Sequence, residues 1–377
     1  MSSSEKGRRK LRVGVIFGGR SGEHEVSLTS AKGIMDAMDK NKYDVVPIGI
    51  TKTGQWLVGG DIHQQLLAAA AGHPVIETGI PPAATEPTIE NALSLPISAT
   101  GPLDLVFPVL HGPFGEDGTV QGFLELVGIP YVGAGVTASA AGMDKAVCKD
   151  IFRAHGLPIV THRVFLRKQW HSDPQAVVDE CEAAMTYPLF VKPANLGSSV
   201  GIHKAKNRAD LWAGLEDAAR YDRKLIVEQG LEAREIEVSV LGNDDPIASV
   251  PGEIIPSREF YSYAAKYIDN SSELIIPAPL SPEHTDLIQQ LAIMAFKALD
   301  CAGLARCDLL LEKASGEVFI NEVNTMPGFT PISMYPKLWE ASGLSYSELI
   351  DRLIQLALER HEDKQQSQTT FDVSNAE

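Results

Sequence analysis

The chain has 377 residues, of which 44% are hydrophobic and 22% are charged, and its formal net charge is −16. This composition is that of a folded globular protein with two or three domains, and it excludes a disordered or fibrous chain. The negative charge argues against nonspecific binding to nucleic acid, because the protein would repel the phosphate backbone.

The first part of the chain alternates strands of the buried type with helical segments. LRVGVIFGG, YDVVPIGI and LDLVFPVLHG are strand-like, and EVSLTSAKGIMDAMD has helical periodicity. This order is typical of a mostly parallel sheet covered by helices, so we predict an α/β domain over residues 11–135. Residues 63 to 102 are rich in alanine and proline, which indicates an irregular insertion with one short helix.

Sequence features also bear on the cellular compartment. Residues 1–10 are polar and basic and have no apolar stretch of a signal peptide, so we expect a flexible N-terminus. Residues 126–143 carry no charge, but Pro130 and several glycines favour loops and turns over a membrane span. Spacing of the cysteines fits neither zinc ligands nor a disulfide framework, so we predict reduced thiols in a cytoplasmic protein. The cysteines are Cys148, Cys181, Cys301 and Cys307.

Two further domains are predicted, over residues 136–229 and 230–360. In the first, a helix from Thr137 contains DKAVCKDIFRAHG, and LPIVTHRVF, PLFVKP and KLIVEQGL are strand-like. NLGSSVGIHKAKN resembles a hairpin, and a polar segment from Pro174 and LWAGLEDAARY are helical. The last domain has a strand EIEVSVLGN, a helix over about 282–299, a hairpin and a final helix over 345–360. The polar residues 361–377 are predicted to be a flexible tail.

The hairpin ARCDLLLEKASGEVFINEVN carries a candidate metal site. Side chains alternate between the faces of a strand, so Arg306 shares a face with Asp308, and Glu322 shares one with Asn324. The turn length leaves Asp308 opposite either Asn321 or Glu322, and only the second alternative brings all four side chains together. Carboxylate and amide oxygens suit Mg²⁺, and an arginine suits a phosphoryl or oxyanion group. A solvated strand edge is the alternative interpretation.

Other motifs are weak when taken singly. KPANLGSSVGIHK places Lys192 before a loop whose N–H groups could surround phosphate oxygens, although the order is not that of a P-loop. GVIFGGRSGEHE has no dinucleotide fingerprint, which argues against a dehydrogenase. Glu228 could accept a hydrogen bond from an exocyclic amine and Glu235 could bind ribose hydroxyls, but each could equally be a surface carboxylate.

In chain order, EHEVSLTS, HGPFGEDGT, MDK, FVKPANLGSSVGI, VEQGL, EIEVSV, YAAKY, ARCDLLL and NEVNTMPGFTPIS closely resemble the D-alanine:D-alanine ligases of the ATP-grasp superfamily. The resemblance covers about residues 11–356. It implies a three-domain ATP-grasp architecture of α/β and α+β type, with ATP between the last two domains and D-alanine beneath it. It also implies a homodimer formed through the first domain. The negative charge and the glycine-rich composition of residues 126–143 predict neither nucleic acid nor membrane as a partner.

The resemblance further implies which residues bind nucleotide and metal. ATP phosphates would contact Lys145, Lys192, Ser198, Ser199 and Lys266; adenine and ribose would contact Glu228, Leu231 and Glu235; and two Mg²⁺ ions, or Mn²⁺, would bind Asp308, Glu322 and Asn324. These are the parts that phosphoryl transfer requires.

It implies substrate and catalytic residues as well. Glu23 would pair with the ammonium of the first D-alanine, and Arg306 with the N–H of Gly328 would stabilise an oxyanion. Ser333 and Lys266 would hold the second carboxylate, and Ser198 and Tyr267 would link to Glu23, with residues 256–270 as a closing loop. His111 is a candidate substrate contact, or else merely structural.

The implied reaction joins two D-alanine molecules through an acylphosphate. Ligases that make D-alanyl-D-lactate tend to carry histidine after the loop lysine, whereas Tyr267 follows Lys266 here, which favours D-alanine as acceptor. Two alternatives remain: another ATP-grasp ligase that joins a carboxylate to an amine, and a nucleotide-binding protein without catalysis.

Overall fold

The computed structural model describes residues 9–70, 101–197, 200–255 and 273–368. Three sheets, of four, six and four strands, organise these residues. Each sheet falls within one of the predicted domains, whose boundaries stay a prediction. Several predicted positions lie outside the described residues: Ser198, Ser199, Lys266, Tyr267, the closing loop 256–270 and most of the insertion.

The first sheet is mostly parallel, as the alternating pattern predicts. Its central strand pairs in parallel with two neighbours, and a short edge strand is antiparallel. The strands are Leu11–Gly18, Tyr43–Ile50, Trp56–Val58 and Leu105–Val109, and the helices of this part are His24–Ala37, Ile62–Ala70 and Thr119–Val127. The α/β interpretation of the first domain is therefore confirmed.

The second sheet is antiparallel and holds the predicted hairpin around the glycine and serine loop. Residues Leu189–Pro193 pair with His203–Ala205 on one side and with Lys224–Gln229 on the other. The fourth strand is His162–Leu166, and the helices are Arg167–Ser172, Pro174–Ala184 and Arg208–Tyr221. Buried side chains such as Trp170 and Leu215 give this unit a core of its own.

The third sheet carries the candidate metal hairpin. Its strands are Ala233–Gly242, Ile247–Ala248, Gly252–Ile255, Glu273–Ile275, Gly303–Glu312 and Val318–Asn324, and its helices are Pro282–Ala298, Met334–Ala341 and Tyr346–Gln365. Phe296 of the long helix and Ile320 of the hairpin belong to one buried cluster, so this helix covers one face of the sheet. The opposite face remains for the site.

Two predicted helices differ from the structure. The helix from Thr137 is two helices, Val136–Met143 and Lys145–Ala154. Asp144 separates them because its extended backbone ends the first, while its carboxylate accepts hydrogen bonds from the first amides of the second. Among the described residues, no helix is long and apolar enough to cross a membrane.

The final helix ends at Gln365, five residues beyond the predicted end at Arg360, so the prediction of a tail starting at residue 361 is wrong there. Contacts with the first part of the chain accompany the extension. The guanidinium of Arg360 lies 4.3 Å from the ring centroid of Tyr131, and Lys364 pairs with Glu125.

A shared core joins the first sheet to the C-terminal part of the chain. The rings of Phe107 and Phe329 meet edge to face, with centroids 6.1 Å apart, and Leu353 of the final helix belongs to the same buried cluster. The loop that contains Phe329 is consequently fixed against the first sheet, and the candidate site lies at this junction.

Candidate active site

The register of the hairpin decides between the two alternatives for Asp308. Leu309 pairs with Ile320, and the next pair along the hairpin is Asp308 with Glu322. A β-bulge lies between these two pairs, and Asn321 is the extra residue. Asp308 is therefore opposite Glu322, which is the register that brings all four side chains together, and Arg306 is opposite Asn324.

The bulge also explains which side chains face the core. Ile320 and Val323 are both buried, although a regular strand would point residues three apart to opposite faces. The extra residue corrects this alternation, so that Glu322 and Asn324 point away from the core. The three-residue step between the apolar residues Ile320 and Val323 is the signal in the sequence that could have revealed the bulge.

Arg306 and Asp308 form a two-point ion pair on the site face. The Nε and a terminal nitrogen of Arg306 each donate to a different oxygen of Asp308 at 2.7 Å, and Nε lies 3.0 Å from Oε2 of Glu237. The side chains of Arg306 and Asp308 are each 15% exposed, which excludes the solvated-edge interpretation. Burial alone would lower the pKa of Arg306, but the charges of Asp308 and Glu237 outweigh it and raise this pKa well above its ordinary value.

Asp308 also belongs to a row of carboxylates that crosses the sheet. Glu237, Asp308 and Glu322 are in register on three adjacent strands and hence share a face. Lys145, at the start of its helix, lies 3.5 Å from Glu322 and also donates to the carbonyl of Leu196 at 2.9 Å.

Lys192 and Glu228 belong to a second charged group next to the hairpin. Lys192 Nζ lies 2.5 Å from Oε2 of Glu228, and Lys149 Nζ lies 2.9 Å from Oε1. Both lysines also contact the bulged residue: Lys149 donates to the carbonyl of Asn321 at 3.2 Å, and Lys192 to its side-chain oxygen at 3.5 Å.

The charge state of Glu228 follows from these neighbours. Burial alone would raise its pKa, but the charges of Lys149 and Lys192 hold the pKa far below its ordinary value. The predicted adenine and ribose residues lie nearby: Leu231 follows the strand of Glu228, and Glu235 is half-buried on the third sheet. Neither residue lines the cavity between the first sheet and the hairpin.

A cavity of about 460 Å³ lies at the junction of the first sheet and the hairpin. It collects most of the predicted substrate residues. Its lining includes Glu23, His111, Lys145, Arg306, Glu322, Asn324, Gly328 and Ser333.

Glu23 lies between two glycine-rich loops at one wall of this cavity. A Cβ atom at Gly112 or at Gly197 would approach Oε2 of Glu23 to 2.8 Å, so the carboxylate occupies the space that side chains would fill there. Gly112 also has a φ of +75°, which favours glycine. Glu116 is a second buried acid of this wall and accepts a hydrogen bond from the N–H of Gly112 at 2.5 Å. Burial, followed by the charge of Glu23, raises the pKa of Glu116 to about 8.

His111 contacts the loop around Gly328. Its Nδ1 donates to the carbonyl of Met326 at 2.9 Å, and its Nε2 is 3.2 Å from Oγ of Ser30, which accepts from the N–H of Phe329 at 3.1 Å. A carbonyl only accepts, so the proton lies on Nδ1, and burial lowers the pKa of His111, which keeps the ring neutral.

Ser333 lies at the other end of the same loop. A Cβ atom at Gly328 would come within 2.7 Å of Oγ of Ser333, so these two predicted residues are neighbours. The N–H of Thr330 donates to the same Oγ at 3.0 Å.

Sequence reasoning missed four charged or polar residues of this region: Glu116, Lys149, Glu237 and Asn321. Glu116 and Lys149 stand inside the quoted segments HGPFGEDGT and DKAVCKDIFRAHG, and the strand pattern of EIEVSV places Glu237 on one face with Glu235. No pattern in a single segment pairs these residues with partners on distant elements.

Comparison with known proteins identifies the family. One family model, described as the D-ala D-ala ligase N-terminus, matches residues 12–134, and a second, the D-ala D-ala ligase C-terminus, matches residues 151–355. The chain belongs to the D-alanine–D-alanine ligase family.

Curated relatives from this family are similar over almost the whole chain. The D-alanine–D-alanine ligase of Heliobacterium modesticaldum is 53% identical over 361 residues, which cover 96% of this chain and 98% of the relative. That of Natranaerobius thermophilus is 51% identical and covers 97% of this chain and 100% of the relative.

Solved structures of ligases have the same ATP-grasp fold. The D-alanine–D-alanine ligase from Coxiella burnetii superposes with a TM-score of 0.76 and 38% identity, covering 95% of this chain and 96% of that one. The VanG D-Ala:D-Ser ligase from Enterococcus faecalis has a TM-score of 0.76 and 35% identity, covering 93% and 100%. The ATP-grasp fold that the resemblance implies is therefore confirmed.

Proteins of this family are ATP-dependent and generally need divalent metal ions. Among the described residues, no three histidine, cysteine or acidic side chains converge as a closed metal site. The donors on the hairpin, Asp308, Glu322 and Asn324, are instead a few hard oxygens on one face, a set that fits an ion completing its coordination with water and substrate phosphates.

Proposed function

We propose that this protein joins two D-alanine molecules into D-alanyl-D-alanine at the expense of ATP and releases ADP and phosphate, as a step in the synthesis of peptidoglycan precursors. One observation carries the proposal: the cavity of about 460 Å³ is lined both by Glu322 and Asn324 of the candidate metal face and by Glu23 and Ser333 of the candidate substrate site. Phosphate chemistry and amino acid binding therefore share one space, and membership of the ligase family supports the same activity.

The nucleotide part of the proposal uses both groups of charged residues. Lys145 and Lys192 bind phosphate oxygens together with Ser198, Ser199 and Lys266, while Glu228, Leu231 and Glu235 bind adenine and ribose. Asp308, Glu322 and Asn324 would hold two Mg²⁺ ions, or Mn²⁺, which would neutralise phosphate charge when bound. Proximity of Lys145 to Glu322, at 3.5 Å, supports a common phosphate and metal region.

The first step activates a carboxylate. Glu23 pairs with the ammonium of the first D-alanine, whose carboxylate oxygen forms a bond to the γ-phosphorus while the bond from that phosphorus to the ADP oxygen breaks. An acylphosphate and ADP result. Activation is needed because a carboxylate is a poor electrophile, and water must be excluded because an acylphosphate hydrolyses.

The second step forms the peptide bond. The amine of the second D-alanine attacks the acyl carbon, the tetrahedral intermediate expels phosphate, and the proton that the amine loses leaves with this phosphate. Ser333 and Lys266 hold the carboxylate of this second molecule, and Arg306 with the N–H of Gly328 stabilises the oxyanion. Arg306 lines the cavity while Asp308 and Glu237 hold its guanidinium, which supports a fixed donor at this position.

The remaining assignments concern the closing loop and the assembly. Ser198 and Tyr267 link Glu23 to the loop 256–270, which closes over the substrates, and His111 contributes to the substrate wall. The proposal includes domains over residues 11–135, 136–229 and 230–360, a cytoplasmic location and a homodimer without nucleic acid or membrane partners. Light scattering of the purified protein tests the homodimer.

Phosphate release tests the proposed function directly. The purified protein is incubated with ATP and Mg²⁺ and either D-alanine, L-alanine, D-alanine with D-lactate, or D-alanine with D-serine, and products are identified by mass spectrometry. We expect phosphate and D-alanyl-D-alanine with D-alanine alone, and a background rate with L-alanine. Absence of phosphate above the ATP-only background with D-alanine, together with release for another acid and amine pair, would overturn the proposal.

A further inference from the structure

Lys149 is a buried cation that the proposed mechanism does not use. It lies on the helix Lys145–Ala154, and its side chain is 1% exposed. Its Nζ lies 2.9 Å from Oε1 of Glu228 and donates to the backbone carbonyl of Asn321 at 3.2 Å. A buried ammonium group persists only where such partners compensate for lost hydration, so these contacts fix its position.

Glu228 is shared between Lys149 and Lys192, one lysine for each carboxylate oxygen. The side chain of Lys192 is 11% exposed, against 1% for that of Lys149. Lys192 also reaches the side chain of Asn321 only at 3.5 Å. In the proposed function Lys192 binds phosphate oxygens. While its ammonium group contacts phosphate, it neutralises the charge of Glu228 less.

Lys149 does not face this competition. Its second partner is a main-chain carbonyl in the bulge, which a nucleotide would not displace, and its depth keeps it away from phosphate. Charged and titratable groups around Glu228 also include His162, which is opposite it on the neighbouring strand, and Arg153, which contacts the ring of His162 at 3.2 Å. Burial lowers the pKa of His162, so its ring is neutral and supplies no charge.

We propose that Lys149 is a positioning residue for nucleotide recognition: it keeps Glu228 ionised and fixed as a pure hydrogen-bond acceptor while Lys192 binds phosphate. An ionised carboxylate accepts from the exocyclic amine of adenine but repels the carbonyl oxygen that guanine carries at the same place. Lys149 thereby sets the preference for ATP over GTP. This inference rests on the proposed adenine site.

The test compares adenine and guanine nucleotides in Lys149→Met and Lys149→Gln variants. Calorimetric titration with ADP and GDP measures binding without turnover, and phosphate release with ATP and GTP measures kcat and KM. Without the charge, Glu228 recruits Lys192 or takes up a proton. We expect the ADP over GDP preference to fall about tenfold or more, with the KM for ATP rising and kcat changing by less than about threefold.

Lys224→Met is the matched control. Lys224 also pairs with a carboxylate, at 2.5 Å from Asp144, and this carboxylate caps the helix that carries Lys149. The control removes an ion pair next to this helix while the Asp144 cap and the contacts of Lys149 with Glu228 remain, so the adenine preference should stay unchanged. The Gln substitution keeps donors near both partners, which makes it the variant to use should Lys149→Met fail to fold.

Two results would overturn the inference: an unchanged ADP over GDP preference in both Lys149 variants, which includes equal weakening of both nucleotides, or the same loss of preference in Lys224→Met. Failure of the proposed function is a separate result, because it appears in wild type as absent D-alanine-dependent phosphate release. Binding of ADP and GDP to wild type and to the Lys149 and Lys224 variants is instead measured without D-alanine.

Discussion

Both carboxylate oxygens of Asp308 accept hydrogen bonds from Arg306 at 2.7 Å, whereas Glu322, directly opposite, lies 3.5 Å from Nζ of Lys145. The side chain of Glu322 is 30% exposed and lines the cavity. Of the two hairpin carboxylates, Glu322 is thus the one more open to an incoming metal ion and phosphate.

Glu322→Gln is therefore expected to reduce kcat by at least about a hundredfold, since an amide is a neutral and weaker ligand for Mg²⁺, while the urea midpoint changes little. Phosphate release and urea unfolding measure the two effects. Glu317→Gln, an exposed change on the same hairpin, is the control and should keep wild-type rates. Wild-type turnover in Glu322→Gln would remove Glu322 from the metal site.

Glu116 makes stability depend on pH. Its pKa is raised from 4.5 to about 8 by burial and by Glu23, so the folded protein binds a proton between these pH values that the unfolded chain has released. The free energy of unfolding therefore decreases as pH rises through this window.

Glu116→Gln should remove this dependence, because the amide oxygen still accepts from the N–H of Gly112 and nothing titrates. We expect the variant to gain stability over wild type between pH 5 and pH 8, on the order of a few kcal/mol at about 1.4 kcal/mol for each pKa unit. Urea unfolding at both pH values measures it. If wild type and variant lose stability equally over this range, Glu116 is ionised in the folded state and the argument fails.

At the scale of single residues, the sequence motifs identified site residues that lie within segments resembling the family. They did not identify the buried partners of those residues. Arg306 and Asp308 are visible in ARCDLLL, whereas the approach of Glu237 to Arg306 depends on the pairing of two strands more than sixty residues apart. In the sequence, Lys149 is simply one charged residue of an amphipathic helix. Its partners come from two different sheets, and no local periodicity encodes that meeting.

Elements were predicted best where propensity and periodicity agree. Tyr43–Ile50 is the segment YDVVPIGI without change, and the strand Leu11–Gly18 is one residue shorter than its predicted run. The hairpin was predicted with its register left open, because alternation fixes the faces within each strand but a bulge changes the count between strands. The break at Asp144 was missed since the segment around it keeps helical composition on both sides.

Asp144 should contribute measurably to the stability of the helix Lys145–Ala154. Its side chain accepts from the N–H groups of Ala146 and Val147 at 3.1 and 3.2 Å and pairs with Lys224. Asp144→Ala is expected to lower the free energy of unfolding by about 1–2 kcal/mol, whereas Asp144→Asn keeps the capping acceptor and should lose less. Urea titration ranks the three proteins, and equal midpoints for Ala and wild type would contradict the capping role.

In the whole molecule, Ser30 and His111 connect the first sheet unit to the loop before Ser333. Donors and acceptors alternate without a gap: Met326 accepts from His111, His111 accepts from Ser30, and Ser30 accepts from Phe329. Both ends of the segment that contains Gly328 are thereby held by the N-terminal part of the chain.

Ser30→Ala should affect stability and catalysis together. The buried N–H of Phe329 would lose its acceptor, at a cost of about 1–3 kcal/mol, and looser placement of Gly328 should lower kcat about tenfold with little change in the KM for ATP. Thr29→Ala, an exposed change on the same helix, is the control. A stability loss with unchanged kcat would show that the connection does not position the loop.

All four cysteines are free thiols with buried side chains, and they are divided between two cores. Cys181 belongs to the core of the second sheet, whereas Cys148, Cys301 and Cys307 belong to that of the third. Burial raises the pKa of Cys148 and of Cys181 to about 12, so hardly any reactive thiolate exists in the folded protein at neutral pH.

Alkylation of these thiols must therefore wait for opening of the core that encloses them. Maleimide labelling followed by peptide mass spectrometry should yield one time course for Cys181 and another, common to the other three thiols, for the third sheet. Labelling of all four within the mixing time would contradict their enclosure. In the proposed function, the units of the second and third sheets enclose the nucleotide. The native cysteines thus measure separately, without any engineered label, how often each of these two units unfolds.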